Sequence, residues 1–321
     1  MNQLIPSLGS AAEITTVKWS IGAALILPQS VLLGMTFPLM SAGLIRRFPD
    51  RPGRRIATLY FANSIGGAIG VLASGFWLIR LVGLPGTVGI AGGLNIVLAM
   101  TVAALARGPG EPVFQKVEHQ DKKRDHAVPL ALMLAVAGLT GLSSFMYEIG
   151  WIRMLSLVLG SSTHAFELML SAFILGLALG GLWVRRRIDS IASPTVFLGW
   201  VQVVMGLCAV ATLPLYNLSF DAMQALVSVL PKTDAGYTQF NLASHGIASV
   251  IMLPAAVCAG MTLPLITYAL IRSGIGERSI GLVYGANTVG AIVGVLFAVH
   301  IGMPLLGLKN LIVTGAGWIS R

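Results

Sequence analysis

The chain has 321 residues, of which 55% are hydrophobic and only 10% charged. Soluble domains carry roughly 25% charged residues, so a soluble fold is excluded and the apolar sequence is read in lipid. The net charge of +9 does not point to nucleic acid, because most Lys and Arg fall in short polar gaps between apolar runs, where the positive-inside rule puts them.

The first residues, MNQLIPSLGSAAEITTV, lack the basic region of a signal peptide. Nine apolar segments follow, at 18–44, 56–79, 86–106, 129–158, 163–184, 194–216, 243–271, 279–301 and 304–320. Each is near the ~20 residues a spanning helix needs. The expected fold is therefore an all-α, multi-pass membrane protein of about nine helices, with the lipid bilayer as its main partner. One clearly polar linker, RGPGEPVFQKVEHQDKKRDHA at 107–127, is expected as a surface loop. It divides the chain into residues 1–106 (three helices) and 128–321 (six helices).

Charge gives the expected orientation. One set of gaps holds Arg46, Arg47, Arg51, Arg54, Arg55, the linker cations, Arg185, Arg186, Arg187, Arg272 and Arg278. The other side holds only Lys18, Arg80, Arg153, Lys232 and Lys309, several near helix ends where they can snorkel. The N-terminus is expected outside and the C-terminus in the cytoplasm. Cys208 and Cys258 both lie inside apolar runs and read as packed thiols.

The chain also repeats itself. ILPQSVLLGMTFPLM (26–40) matches MLPAAVCAGMTLPLI (252–266). Tyr60, Ala62, Asn63, Gly66 and Gly70 fall on Tyr284, Ala286, Asn287, Gly290 and Gly294, and LVGL (81–84) on LLGL (305–308). Three helices are duplicated in order and in one orientation. Three more helices precede the second copy and none precede the first, so the chain reads as helices four to twelve of a six-plus-six design, a fragment or truncated product. Two parallel six-helix halves describe a transporter-like plan. LALGGLWVRRRID (177–189) resembles a degenerate form of the basic turn of the major facilitator superfamily.

GLVYGANTVGAIVG (281–294) lacks the G-x-G-x-x-G spacing of a dinucleotide turn, and no acidic residue follows. What remains is small-xxx-small at Gly66/Gly70 and Gly290/Gly294, which lets helix backbones approach closely in lipid. Asn63 and Asn287 place amides in hydrocarbon and are expected to bond across helices, or to line a substrate path. Pro38 and Pro264 sit inside spanning helices and predict kinks. Thr36 and Thr262, two residues earlier, are placed to satisfy nearby freed groups.

The stretch 143–181 is the most informative. Glu148 lies within a spanning helix, and an intramembrane carboxylate is a functional candidate by default. Ser144, Glu148 and Trp151 share one face, with Tyr147 adjacent and Arg153 on another flank. Two readings stand. Either Glu148 pairs with a basic group of another helix and locks the bundle, or it takes a cation or a coupling proton, aided by aromatic faces. His164 and Glu167 follow near the outer face, and with His245, His300 and Asp221 suggest a polar outer vestibule. The His164–Glu167 spacing does not recur, and no metal site is expected.

Residues 143–181, GMTLPL and GLVYGANTVGAIVGVLFAVHIGMPLLGLKNL (281–311) resemble the membrane region of bacterial spermidine-synthase-like proteins, often described as fused major facilitator/spermidine synthases. The matching positions are Tyr147, Glu148, Trp151 and Arg153, Gly260 through Leu265, and Gly281 through Ala291. The resemblance implies a membrane domain joined to a soluble Rossmann-like domain that performs aminopropyl transfer. Nothing in this sequence reads as that α/β domain, so no catalytic residue and no cofactor is expected here. The implied partners are that soluble domain or a polyamine.

Overall fold

Helix α1 (Ala11–Arg47) starts on a capping box: Ser10 Oγ accepts from the Glu13 amide and Glu13 returns the bond to the Ser10 amide. It runs through Pro28 and Pro38 and ends on Arg46 and Arg47, cations that suit the negative end of the helix dipole. The computed structural model describes residues 10–106, 129–159 and 162–319. The polar linker at 107–127 lies outside the described residues.

Helix α2 (Pro52–Ala73) opens with Pro at its first position, where a missing N–H costs nothing. It passes through a π-helical segment, Ser74–Leu78, into α3 (Ile79–Ala106). Then come α4 (Leu130–Leu159), α5 (Ser162–Arg185), a single 3-10 turn at Ile188–Ser190, and α6 (Pro194–Val229). After α7 (Asp234–Arg272) and α8 (Arg278–Phe297), a second π-helical segment, Ala298–Leu306, leads into α9 (Gly307–Ile319). No strand occurs among the described residues.

Among the described residues, seven helical runs are long and apolar enough to cross a membrane. The sequence drew nine apolar segments. The difference arises because 56–79 joins 86–106, and 279–301 joins 304–320, through helical backbone rather than through a loop. The joined runs, Pro52–Ala106 and Arg278–Trp318, have 55 and 41 residues. Each is broken once by a glycine with positive φ, Gly83 (φ 67°, ψ 178°) and Gly307 (φ 73°, ψ 170°), a conformation glycine adopts without steric cost. Helices α6 and α7 also outrun their apolar segments, to Val229 and from Asp234. At about 1.5 Å per residue their 36 and 39 residues exceed the ~30 Å hydrocarbon thickness. Thr233 caps the start of α7, its Oγ1 accepting from the Gly236 amide at 3.2 Å.

Close packing is confined to part of the molecule. Helices α5 and α7 meet backbone to backbone, with Gly176 on Ala256, Gly180 on the Val257 carbonyl and Gly260 on the Leu177 carbonyl. Helices α4 and α8 do the same, with Gly290 on the Gly138 carbonyl, Gly294 on the Leu142 carbonyl and Gly141 on the Asn287 carbonyl. Helix α2 lies on α5, where Gly181 faces the Tyr60 ring. By contrast α3 has no buried residue, and α1 leaves Leu25, Leu32 and Leu33 about 70% exposed. Nothing lies within 4 Å of the space above Gly66 or Gly70.

One end of the bundle carries most of the arginines and a set of polar ties between helices. Asp189, from the α5–α6 turn, accepts hydrogen bonds from the Gly53 amide at 3.2 Å and the Arg54 amide at 3.1 Å. A carboxylate from another helix thus caps α2, whose own N-cap, Arg51, has no capping side chain. Arg46 at the end of α1 forms an ion pair with Glu277 before α8. Arg272 donates to the carbonyls of Ile191 and Ala192 at 3.2 and 3.4 Å. Between the helices, Phe37 packs on both Tyr60 and Tyr284, with ring centroids 6.0 and 4.6 Å apart.

Candidate functional site

Helix α4 builds the candidate site because it is small and polar on the side it turns to its neighbours. Thr140, Gly141, Ser143, Ser144, Tyr147, Gly150 and Trp151 are all buried. Trp151 is the anchor, 1% exposed. Its ring stacks on Tyr147 (5.7 Å between centroids, 27°) and meets Phe173 of α5 at 6.2 Å. Its Nε1 donates to Thr212 Oγ1 of α6 at 3.3 Å, and Thr212 hands its own proton to the Ala209 carbonyl at 2.7 Å. Trp151 therefore ties α4, α5 and α6 together.

Tyr147 is pressed by the backbone of α9: a Cβ on Gly315 would sit 2.9 Å from its ring. Its hydroxyl is buried without a hydrogen-bond partner among the described residues. Glu148 is half-buried in the same helix, inside the run Leu130–Leu159. Among the described residues it has neither a hydrogen bond nor an ion pair. The bundle-locking reading of Glu148 needed a basic partner, and none is present among them. Arg153 is exposed on another flank.

Polar groups continue on α5 and α7. Ser171 Oγ lies 3.5 Å from His245 Nδ1 and donates to the Leu168 carbonyl at 3.0 Å. The Glu167 carboxylate lies against Gly75, its Oε2 3.1 Å from where a Cβ would stand. His164 belongs to the first turn of α5. Asn241, one turn before His245, is buried, and its Oδ1 has no partner among the described residues. Asp221 and His300 are exposed. Of the expected outer vestibule, then, His164, Glu167 and His245 sit on α5 and α7, where Ser171 and Asn241 join them, while Asp221 and His300 are exposed.

The two asparagines behave differently from expectation. Asn287 is half-buried against α4, where its backbone carbonyl meets Gly141, and its side chain makes no hydrogen bond among the described residues. Asn63 is exposed on α2, also without one. The expected cross-helix amide bonds do not form. At Asn287 the facing position on α4 is Gly141, which offers no side-chain donor or acceptor. At Asn63 no helix lies opposite. The threonines before the repeated prolines bond back to their own helices, Thr36 to the Leu33 carbonyl at 2.6 Å and Thr262 to the Cys258 carbonyl at 3.1 Å. Neither reaches the carbonyl its proline frees.

Sequence reasoning missed a polar node. Gln202 of α6 donates through Nε2 to Thr140 of α4 and Thr262 of α7, both at 3.3 Å. All three are buried, and Gln202 Oε1 has no partner among the described residues. The signal was there: a glutamine in the apolar run WVQVVMG. Asp189 closes the basic turn at 177–189, but its capping of α2 depends on a contact between residues 136 positions apart.

No family model, curated protein or solved structure matches the chain.

Proposed function

We propose that this chain is the membrane-embedded domain of a spermidine-synthase-like protein, laid out on the parallel-repeat plan of major-facilitator transporters, and that it binds a small organic cation of the polyamine class at Glu148, Tyr147 and Trp151. One observation carries the binding reading. A carboxylate sits within a membrane-spanning helix with no partner among the described residues, beside an aromatic stack whose Tyr147 hydroxyl is also unpartnered. A charge left so in lipid is costly unless something meets it, and an ammonium between a carboxylate and π faces meets both. His245, Ser171, Glu167 and Asn241 supply further polar groups on α5 and α7.

The repeat plan is supported by geometry at matched positions. Gly83 and Gly307 are equivalent in sequence, and both take positive φ just after a π-helical segment. Straight helices of 55 and 41 residues would be about 80 and 60 Å long, too long for a ~30 Å core. Folding at these glycines makes each run two crossings and the total nine. The Arg-rich end then lies in the cytoplasm, the N-terminus outside, and the protein in the plasma (inner) membrane. Aminopropyl transfer is not assigned to these residues, because no α/β unit occurs among those described.

A second reading, carriage of the cation across the membrane, is favoured by the ties at the Arg-rich end. Asp189–α2 and Arg46–Glu277 fasten the first-copy helices α1 and α2 to the second copy at one end of the bundle. A third, a scaffold that moves nothing, leaves Glu148 unexplained. The test is spermidine binding to the full chain in lipid nanodiscs, with Glu148→Gln alongside. Loss of a charge-assisted contact is expected to weaken binding ~10- to 100-fold, about 1.5–3 kcal/mol. Equal affinity in the two proteins removes Glu148 from the site, and no saturable binding to either removes the cation reading. Vesicle uptake of labelled spermidine by the same proteins separates carriage from binding.

A further inference from the structure

Several arginines at the polar end of the bundle have partners inside the protein. Arg46 pairs with Glu277, Arg272 donates to the carbonyls of Ile191 and Ala192, and Arg187 lies over the Trp183 ring, 4.6 Å from its centroid. Arg51, Arg54 and Arg55 differ. With Leu44, Asp50 and Thr58 they line a cavity of about 770 Å³ where α1 turns into α2. Among the described residues no carboxylate pairs with any of these three guanidinium groups. The volume falls within the ~300–1,000 Å³ range of small-molecule sites.

Two of the arginines are held in place rather than left to wander. Arg55 donates through Nε to the Asp50 carbonyl at 2.9 Å, and its guanidinium lies 4.7 Å from the centroid of the Phe48 ring. Arg51 has φ 55° and ψ 58°, the only positive φ at a non-glycine residue among those described. Left-handed backbone is unfavourable for a residue with a Cβ, and such an outlier points to a place where the side chain itself is needed. The helix amides do not make the site. Those of Gly53 and Arg54 are already bonded to Asp189, so recognition falls to side chains. The height of the cavity is equally informative. Leu44 ends one apolar segment and Thr58 lies just inside the next, while residues 50–55 belong to the polar gap between them. About one turn deeper on α1, Leu39 and Met40 are 64% and 59% exposed. The cavity therefore straddles the boundary between hydrocarbon and headgroups.

We infer that this cavity binds the headgroup of an anionic phospholipid with one phosphodiester and free hydroxyls, of the phosphatidylglycerol type, drawn from the leaflet at the arginine-rich end. Three guanidinium groups against one carboxylate select an anion, and the guanidinium fork matches phosphate oxygens. The Asp50 carboxylate opposes a second phosphate and accepts a headgroup hydroxyl. Leu44 and the exposed face of α1 meet the start of the acyl chains. A soluble phosphate would meet the same arginines but leave that apolar side unused, whereas basic pockets between membrane helices at this depth suit lipid headgroups. The site stands apart from the cation reading, which rests on α4.

The test titrates phosphatidylglycerol or phosphatidylcholine into the full chain in neutral detergent and counts bound lipid by native mass spectrometry. Phosphatidylglycerol should be retained in preference to phosphatidylcholine. Arg51→Gln with Arg54→Gln and Arg55→Gln should weaken its binding about tenfold or more. Arg185→Gln with Arg186→Gln and Arg278→Gln removes the same charge outside the cavity and should change binding by less than about twofold. Equal loss in the two triple variants overturns the proposal, since the attraction is then that of a positive surface at large. So does equal retention of the two lipids. Inorganic phosphate that displaces the lipid at equal concentration also overturns it, by making the occupant a soluble anion. Arg51→Gly guards against misfolding, because glycine adopts the left-handed backbone without steric cost. The unfolding midpoint of the lipid-free chain should not fall, while phosphatidylglycerol binding weakens several-fold. A retained midpoint with unchanged binding overturns the proposal.

Discussion

Replacing Gly290 by alanine puts a methyl group where α8 touches the backbone of α4. That carbon would stand 2.6 Å from the Gly138 carbonyl carbon and 2.9 Å from its Cα, against the 3.4–4 Å of ordinary contact. The obstacle is helix backbone, which cannot rotate aside as a side chain can. Helix α8 must therefore retreat by roughly an ångström, loosening Gly294 on Leu142 as well; overpacking of this kind costs about 1–3 kcal/mol. The comparison is Gly66→Ala, its equivalent in α2, where nothing lies within 4 Å and a change within ~0.5 kcal/mol is expected. The assay is reversible unfolding of the purified chain in lipid–detergent bicelles, read by tryptophan fluorescence. Equal destabilisation at the two positions, or less than ~0.5 kcal/mol at Gly290, would refute the packing argument.

Gln202→Leu should cost under ~1 kcal/mol, because it removes an acceptor that already lacks a partner, whereas Thr140→Val with Thr262→Val strands the buried amide donor and should cost about 1–3 kcal/mol. The same unfolding assay decides, and the opposite ranking counts against the polar node. Asp189→Ala removes the acceptor for two α2 amides and should cost about 1–2 kcal/mol. Hydrogen exchange at Gly53 and Arg54 should accelerate, and unchanged exchange would show that the cap contributes nothing. In intact cells, Ser190→Cys should react only after permeabilisation and Lys232→Cys without it. The reverse pattern inverts the orientation.

Much of the helical layout was legible in the sequence. Apolar runs of spanning length mark helices, since a backbone in lipid must satisfy its own hydrogen bonds. Run ends were less legible. Helices α6 and α7 continue past Tyr216 and before Ala243 into residues that mix polar and apolar, because a helix projecting from the bilayer no longer needs an apolar surface. The sequence left gaps at 80–85 and 302–303; the positive-φ glycines fall inside the first, at Gly83, and just past the second, at Gly307, but the helical backbone that carries the chain through both places was not legible. Within the candidate site, Glu148, Tyr147 and Trp151 stood out as polar or aromatic groups in an apolar helix. Gln202 carried the same signal and was passed over. Asn241 lies outside the apolar segment drawn for its helix, and nothing local marks its oxygen as buried without a partner.

The sequence by itself determined what each helix can present: an apolar span, a small-residue stripe, a carboxylate at a given height, and a repeat that makes α2 resemble α8. These are local properties, set by composition and by the 3.6-residue period. Only the tertiary structure decided which of two similar stripes is used. Gly290 and Gly294 are closed over by α4, while Gly66 and Gly70 stand open, because covering depends on whether another helix lies opposite. It likewise decided that Asp189 would cap α2, and that Glu148 would sit beside the Tyr147–Trp151 stack without a basic partner among the described residues. Those are relations between distant segments, which no single stretch of chain encodes.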